Sequence, residues 1–560
     1  MCQTNPGKLP TVISQMFSVR VDSGKVIFWA AVLFLGAIFL SAAPVIVADT
    51  NDDAFIYLRY VQNILNDDGA VFNPGERVEG FSSPLWLGIL TALHYLADST
   101  IWHDCDAFVL SQSLSTVFTL LTAMMLIYWG LFFESIKKRY VVVAVLLFLG
   151  VPETIVWARS GMETSMVAFL LLSSVFYTYS FWSTGRKKFQ WMAVLSLTCL
   201  GLARPETIVF VCAIILLTHF FVEMPGKRSD FFQSIKIATV KLGILPMFSF
   251  LSYLVWRRIY YEQWLPNTYF AKRGCDWVFW WRGVKYITEY LMQPHLWVGL
   301  TFIAMAIVWG NRRIVRFIVL ILLMGVGIIV LEGGDFLWHW RFAYPYLPLV
   351  IIAGLIGLHF FSQRWQFRGG SLPAMLAGIL WCVWGVGSLF TDRLAERAHG
   401  VHLKHENTAA IANCVSKTVQ PRETIAVGPA GRFVFIVSPY KAFDFWGLVV
   451  PEIAHSKRVP GKVGHERWNT NEILKKKPDY IFWTLQAKPK PMCSYLKDEG
   501  RGALFSSKFK DFLTNPNFVF AVLPMHDSGE WFHFLVGKDV IDKSKHQFYR
   551  LSDVCEQFKL

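Results

Sequence analysis

A polytopic α-helical membrane domain of about eleven transmembrane helices, followed by a C-terminal soluble α/β domain, is the fold class that the sequence predicts. Three observations predict it. The 560 residues are 54% hydrophobic and only 17% charged, against roughly 25% charged residues in a soluble domain. Apolar runs long enough to cross a bilayer recur from Val26 to Phe390. Short basic tracts separate them at alternate intervals, as cytoplasmic loops do.

The runs that could span are Val26–Val47, Ala107–Leu131, Tyr140–Val156, Thr164–Phe181, Trp191–Leu202, Pro205–Val222, Ile235–Trp256, His295–Trp309, Ile314–Leu331, Phe342–Phe361 and Leu372–Phe390. The first is about 20 residues long, beyond the roughly 7–15 of a signal-peptide core, and reads as an uncleaved helix. The 23 Trp and 47 Phe suit a protein with aromatic membrane interfaces.

Basic residues set the orientation. They cluster at Lys137-Lys138-Arg139, Arg186-Lys187-Lys188, Lys227-Arg228, Arg312-Arg313 with Arg316, and Arg364 with Arg368. All fall in alternate loops if a further short run, Pro84–Leu96, does not cross. The N-terminus is then cytoplasmic and the tail external. If Pro84–Leu96 crossed and Trp191–Val222 were one helix, two basic tracts would move outside. Arg204 and Glu206 would also lie near mid-membrane, at roughly 2.5–3.5 kcal/mol for such a charge. Pro84–Leu96 is therefore expected as an interfacial or re-entrant helix in a first outer loop, 48–106.

Residues 1–390 form the membrane domain and 391–560 the tail, long enough for one domain. In the tail, β-like runs at Thr424–Val427, Arg432–Val437, Tyr480–Thr484, Phe518–Leu523 and Trp531–Val536 alternate with helical stretches at Ala409–Lys417 and Asn471–Lys475. The net charge of +14 is spent in the cytoplasmic tracts, so no nucleic-acid partner is implied. Nine cysteines include no CxxC pair. Cys414, Cys493 and Cys555 lie in the tail, where a disulfide is open but unpaired by sequence. No GxxxxGK[ST], GxGxxG after a strand, HExxH or GxSxG occurs, so nucleotide-driven pumps, dinucleotide enzymes, zincins and serine hydrolases have no motif.

This topology collects the polar motifs on one face, the pattern of an outward-facing active site. Asp52-Asp53 follows the first helix. Two adjacent carboxylates repel, and one can serve as general base or bind a divalent cation through oxygen. A solvated helix end is the bland alternative. Phe72–Gly80 adds a tight Pro-Gly turn with Glu76 and Glu79. Arg159 with Glu163, and Arg204 with Glu206, are either phosphate grips or ion pairs closing loops. Lys272 and Arg273 make the Leu265–Gly274 loop basic on the outer face, which a lipid phosphate or anionic headgroups would explain. Asp335, His339 and Arg341 follow Gly333-Gly334. Asp335 with His339 is a candidate metal pair, but two ligands do not make a site. Asp444–Leu448 and His465-Glu466 read as structural polar groups in the tail.

Together, Asp52-Asp53, Val71–Trp86 (VFNPGERVEGFSSPLW), Arg204-Pro205-Glu206, Pro266–Lys272 (PNTYFAK), Gly333–Arg341 (GGDFLWHWR), Asp444–Leu448 and Gly464-His465-Glu466 resemble the polyprenyl-phosphate-dependent arabinofuranosyltransferases of the GT-C fold. The likeness is to terminal β-arabinofuranosyltransferases of cell-wall arabinan synthesis and to pilin-modifying relatives. It runs from about Val26 to His465, and the first loop and PNTYFAK are its specific parts. The resemblance implies a polyprenyl-phosphate arabinofuranose donor and a glycan or pilin-type acceptor outside the bacterial inner membrane. It also implies a catalytic acid pair, with Asp53 as base and Asp52 supporting it or holding a metal. Arg204, Lys272 and Arg341 are the candidates for donor phosphate. Glu79, Glu206, Asn267, Tyr269, Asp335, His339 and His465 are the candidates for substrate contact. The resemblance implies no certain cofactor, with a divalent cation as the open possibility. The rival readings are a GT-C transferase of another lipid-linked sugar, such as mannose, and a lipid-linked sugar transporter or flippase. Against transport stand the absence of an inverted hydropathy repeat and the placing of charge at one face.

Overall fold

The computed structural model describes residue 36 and residues 52–98, 106–132, 138–221, 236–310, 313–335, 339–364, 407–458, 466–483, 485–492, 512, 515–525, 530–541 and 548–557. The expected span Leu372–Phe390 and, but for residue 36, Val26–Val47 lie outside these, as do His465 and Cys493.

Helix α1 (Asp52–Leu65) opens on the acid pair, where carboxylates complement the positive end of the helix dipole. Its Tyr60, Phe55 and Tyr57 are buried. The chain then turns tightly at Asn73–Glu76, where Glu76 N donates to Asn73 O over 3.0 Å and Gly75 takes φ +77°. Helix α2 (Pro84–Asp98) starts on a proline, which needs no N–H there. Ser83 Oγ caps it by accepting from Trp86 N at 3.2 Å. Its 15 residues reach about 22 Å at 1.5 Å each, short of a roughly 30 Å hydrocarbon core. It packs on α1 and on α3 (Ala107–Phe132).

The expected span Tyr140–Val156 is broken. Helix α4 (Lys138–Gly150) and helix α5 (Pro152–Ala158) meet at a 65° bend. Pro152 cannot donate to a carbonyl four residues back, so the axis turns there. Helices α6 (Thr164–Thr184) and α7 (Lys187–Gly201) form a hairpin closed by Gly185 at φ +66°. Helix α8 (Thr207–Phe221) is separate from α7, as the Arg204-Pro205-Glu206 break predicts. A π turn at Thr239–Gly243 leads into α9 (Ile244–Tyr260). Helices α10 (Asn267–Lys272) and α11 (Trp277–Leu291) follow, so PNTYFAK is a short helix and not a loop. Helices α12 (Pro294–Gly310) and α14 (Leu347–Arg364) make the most extensive helix pair. Gly354 permits it, since a Cβ there would stand 3.3 Å from the Gly299 carbonyl oxygen. Helix α13 (Arg313–Leu331) lies beside α11 and α8.

Among the described residues, four helices are long and apolar enough to cross a membrane, and five with the bent pair counted as one span. Four shorter apolar helices join them, Pro84–Ala97 included. The chain is a multi-pass membrane protein.

The tail holds a sheet in the order β2-β1-β3-β6-β5-β7, with β4 (Ala487–Lys488) also on β6. Strands β1 (Thr424–Val427), β2 (Lys441–Asp444) and β3 (Tyr480–Phe482) are parallel. Strands β5 (Phe518–Met525), β6 (Glu530–Gly537) and β7 (Tyr549–Arg550) add antiparallel partners. The expectation of a strand at Arg432–Val437 is corrected, because that segment is helix α15. A six-residue apolar run reads equally as strand or buried helix. Its position between parallel β1 and β2 demands a crossover, which a helix supplies. Cys555 is disulfide-bonded.

Candidate active site

The segment from α1 to α2, together with α10, is locked to the tail by side chains that stand in for backbone. Asn73 Oδ1 accepts from Ala442 N at 2.9 Å and its Nδ2 donates to Ala442 O at 3.0 Å. That reciprocal pair extends the edge of strand β2. Buried Arg59 donates to Pro439 O at 2.6 Å and Ser438 Oγ at 3.1 Å. Asn267 Nδ2 donates to Gly447 O and Leu448 O at 2.8 and 2.9 Å. Asp52 completes the clamp. Its Oδ2 accepts from Gly431 N at 3.0 Å and its Oδ1 from Arg432 N at 2.9 Å. Burial, with the neighbouring charge of Asp53 adding to it, pushes the Asp52 carboxyl up to about 6, against the pull of those two N–H groups. Both oxygens of Asp52 therefore face the tail.

Asp53, one residue on, faces the other way, into a cavity of about 550 Å³, within the size range of ligand sites. Arg341 Nη1 stands 3.1 Å from its Oδ2, and Lys272 Nζ stands 3.9 Å from the same oxygen. Arg341 Nε is also 2.7 Å from Asp335 Oδ2, and both side chains are 5% exposed. The guanidinium thus spans two carboxylates that lie far apart in sequence. Gly333 and Gly334, at φ +73° and +70°, let the chain turn from α13 toward Asp335. Deeper in, Arg204 reaches Glu206 at 2.5 Å and Glu163 at 3.5 Å. Glu332 joins this end, and burial followed by the charge of Glu206 pushes its carboxyl up to about 8.

The candidates thus divide. Asp53, Arg204, Glu206, Tyr269, Lys272, Asp335 and Arg341 all line the cavity. Asp52 and Asn267 instead hold the tail. Glu79 is buried in an ion pair: its Oε2 is 2.7 Å from Arg257 Nε, and Tyr253 OH donates to its Oε1 at 2.7 Å. Breaking one side of such a pair costs about 3–5 kcal/mol. Arg257→Met is expected to lower the thermal midpoint by several degrees or more, read by a thermal-shift assay in detergent. His339 is held by its backbone, which accepts from Trp157 Nε1 at 2.7 Å, and burial drives its imidazole down to about 4. Among the described residues, no group of three or more His, Cys, Asp or Glu could hold a metal. Arg159 turns to Gln112 at 3.4 Å, away from its expected loop partner Glu163. Glu163 and Arg273, marked in the sequence only as charged partners of Arg159 and Lys272, also line the cavity, as does Glu332. The only sequence signal for Glu332 was its place before Gly333-Gly334-Asp335.

The backbone fold is similar to that of ArnT from Cupriavidus metallidurans. The apo structure of that protein aligns over 92% of this chain and 98% of its own, with TM-score 0.51 at 12% identity. Its structure bound to undecaprenyl phosphate gives 0.53 at 10% identity over 93% and 99%. The fold is GT-C. By sequence, the chain is 24% identical over 383 residues to the terminal β-(1→2)-arabinofuranosyltransferase of Mycobacterium tuberculosis, covering 60% of this chain and 58% of that protein. The protein of the same name from Corynebacterium glutamicum is 24% identical over 353 residues, covering 56% and 49%. The chain thus spans less than two thirds of the length of these curated relatives. A family model described as a domain of unknown function (DUF8728) matches residues 397–525, in the tail. Within the GT-C frame, the cavity lies where the start of α1, the segment before α2, α10 and the end of α13 converge.

Proposed function

We propose that this chain is a membrane glycosyltransferase that moves arabinofuranose from a polyprenyl-phosphate donor to a hydroxyl of a glycan or protein. We place the reaction on the outer face of the inner membrane, where the tail and cavity would face the periplasm. The observation that carries the reading is Asp53 in the cavity with Arg341 and Lys272 at 3.1 and 3.9 Å. A carboxylate beside two cations, one of them shared with Asp335, is what transfer from a sugar phosphate asks for. The carboxylate takes the proton of the acceptor hydroxyl. The acceptor oxygen bonds to the anomeric carbon as the bond to the phosphate oxygen breaks. The electron pair leaves with polyprenyl phosphate, and the cations stabilise the charge that develops. The name shared by the two relatives, and the undecaprenyl phosphate bound by ArnT, support the donor class.

The test is transfer of labelled arabinofuranose from a synthetic polyprenyl-phosphate donor by purified protein in detergent, across arabinan and peptide acceptors. Transfer supports the reading. No transfer with this donor, but transfer with a mannosyl donor, would replace the sugar. No transfer from any lipid-linked sugar would overturn the enzyme reading. Lys272→Ala is expected to raise the donor KM about 10- to 100-fold, the worth of a charge-assisted hydrogen bond to phosphate, as initial rates against donor concentration will show. Arg341 and Lys272 already supply the positive charge at Asp53. Transfer in excess EDTA should therefore equal that without it, and a loss restored by Mg²⁺ or Mn²⁺ would make a divalent cation part of the site.

A further inference from the structure

Arg204 looks like a phosphate grip in sequence, but its charge is already spent. Glu206 and Glu163 both pair with it, and its guanidinium lies 4.8 Å over the Phe342 ring. Two carboxylates on one guanidinium leave a net negative group before Glu332 is counted. An arriving phosphate would be repelled there and would meet instead the end of the cavity lined by Arg273 and by Lys272, two cations for the one carboxylate of Asp53 at 3.9 Å.

The acidic end is a built site. Glu163 is 1% exposed and lines the cavity, yet among the described residues its Oε2 has no hydrogen-bond partner. A buried carboxylate oxygen left unpaired costs free energy until a donor fills it. Its neighbour oxygen faces Arg204, so position and orientation are fixed. Thr207 Oγ1 secures the backbone of the same break by donating to Arg204 O at 2.7 Å. Carboxylates only accept, so the ligand group must donate and must tolerate Arg204 alongside. Neutral hydroxyls fit. Phe81 and Phe342 also line the cavity, and aromatic rings suit the C–H side of a sugar ring.

We infer that Glu163 and Glu206, held by Arg204, are the subsite for the hydroxyls of the donor sugar, and that Arg204 positions these two acids and does not bind phosphate. The inference rests on the reading of the cavity as a site for a lipid-linked pentofuranose. It divides that cavity into an acidic sugar end and a basic phosphate end, with Asp53 and Arg341 between. Arg341 feels the charges of Asp53, Asp335, Arg204 and Glu163 together, which places it at the junction.

The experiment compares polyprenyl-phosphate arabinofuranose with donors carrying 2-deoxy, 3-deoxy or 5-deoxy sugar. A site built to bond a hydroxyl rejects the analogue that lacks it. Wild type should therefore use at least one deoxy donor about 10- to 100-fold less well in kcat/KM. Glu163→Gln and Glu206→Gln should lose a similar factor with the full donor and less than about 3-fold with that deoxy donor. In parallel, binding of bare polyprenyl phosphate should survive Arg204→Gln and weaken in Lys272→Ala. Equal losses for full and deoxy donors, indifference of wild type to every deletion, or loss of bare lipid-phosphate binding in Arg204→Gln would each overturn the inference. Glu206 is partly exposed, so its variant remains informative if Glu163→Gln fails to fold. Should wild type transfer no arabinofuranose at all, the parent reading fails. The lipid-phosphate arm still decides whether Arg204 holds phosphate.

Discussion

Asp53→Asn is expected to lower the transfer rate by about 10²–10⁴-fold, the usual worth of a positioned general base, with donor KM little changed. The fold should survive, for a specific reason. Losing the negative charge at residue 53 does not orphan the buried Arg341, because Asp335 stays 2.7 Å from its Nε. Asn has nearly the same volume, and the position is 21% exposed. Single-turnover rates with saturating donor, together with a thermal midpoint, separate the two effects. A variant that transfers at more than a tenth of the wild-type rate would remove Asp53 from the chemistry. Asp335→Asn gives the contrasting pattern. It leaves Arg341 with Asp53 alone and should trade a smaller loss of rate for a larger loss of stability.

Gly431→Ala is expected to undock the tail from the start of α1 and to lower activity although it lies outside the cavity. A Cβ at residue 431 would stand 2.5 Å from the Asp52 carboxyl carbon and closer still to the Asp52 carbonyl oxygen. Neither can yield without pulling Asp52 off the N–H groups of Gly431 and Arg432, and overpacking of this kind costs roughly 1–3 kcal/mol. Asp53, adjacent in the chain, moves with it. Hydrogen exchange should rise in α1 and α15 together, with kcat falling at least about 10-fold. Exchange that rises in α15 alone would show that the clamp does not reach the cavity.

The same clamp gives a pH dependence whose sign can be worked out. The Asp52 carboxyl titrates near 6 in the folded protein, above its usual value. The Asp444 carboxyl, which accepts from Leu448 N and Val449 N at 2.7 and 2.8 Å, is also pushed by burial to about 6. A raised carboxyl favours the folded state when protonated, so the contribution of these two groups to stability holds or rises as pH falls from about 6 toward 4. The individual N–H contacts weaken over the same range, because a protonated oxygen accepts poorly. Transfer should therefore fall below about pH 6 while the thermal midpoint does not. A midpoint that drops in step with activity would assign the acid limb to unfolding.

Much of this protein was legible in its sequence because bilayer physics is one-dimensional. Run length, a proline at Pro205, and the sign of the loops fix which segments are helices and where Arg204-Pro205-Glu206 breaks the chain. The acid pair, PNTYFAK and the Gly-Gly turn before Asp335 likewise announced themselves as polar groups where hydrocarbon was expected. Tertiary structure alone decided what each group does. Asp52 and Asp53 are indistinguishable as letters, yet successive positions in the first turn of α1 send one carboxylate to two backbone N–H groups of the tail and the other into a cavity. Glu79, Glu163 and Glu206 are equally acidic in sequence, and only the partners they meet make the first a structural ion pair and the other two the wall of a site. Arg432–Val437 is strand-like by composition and helical by topology, since parallel β1 and β2 need a crossover. Hydrophobic length and charge sign act locally along the chain and survive reading in order. Pairing, desolvation and the direction a side chain faces depend on residues hundreds of positions away.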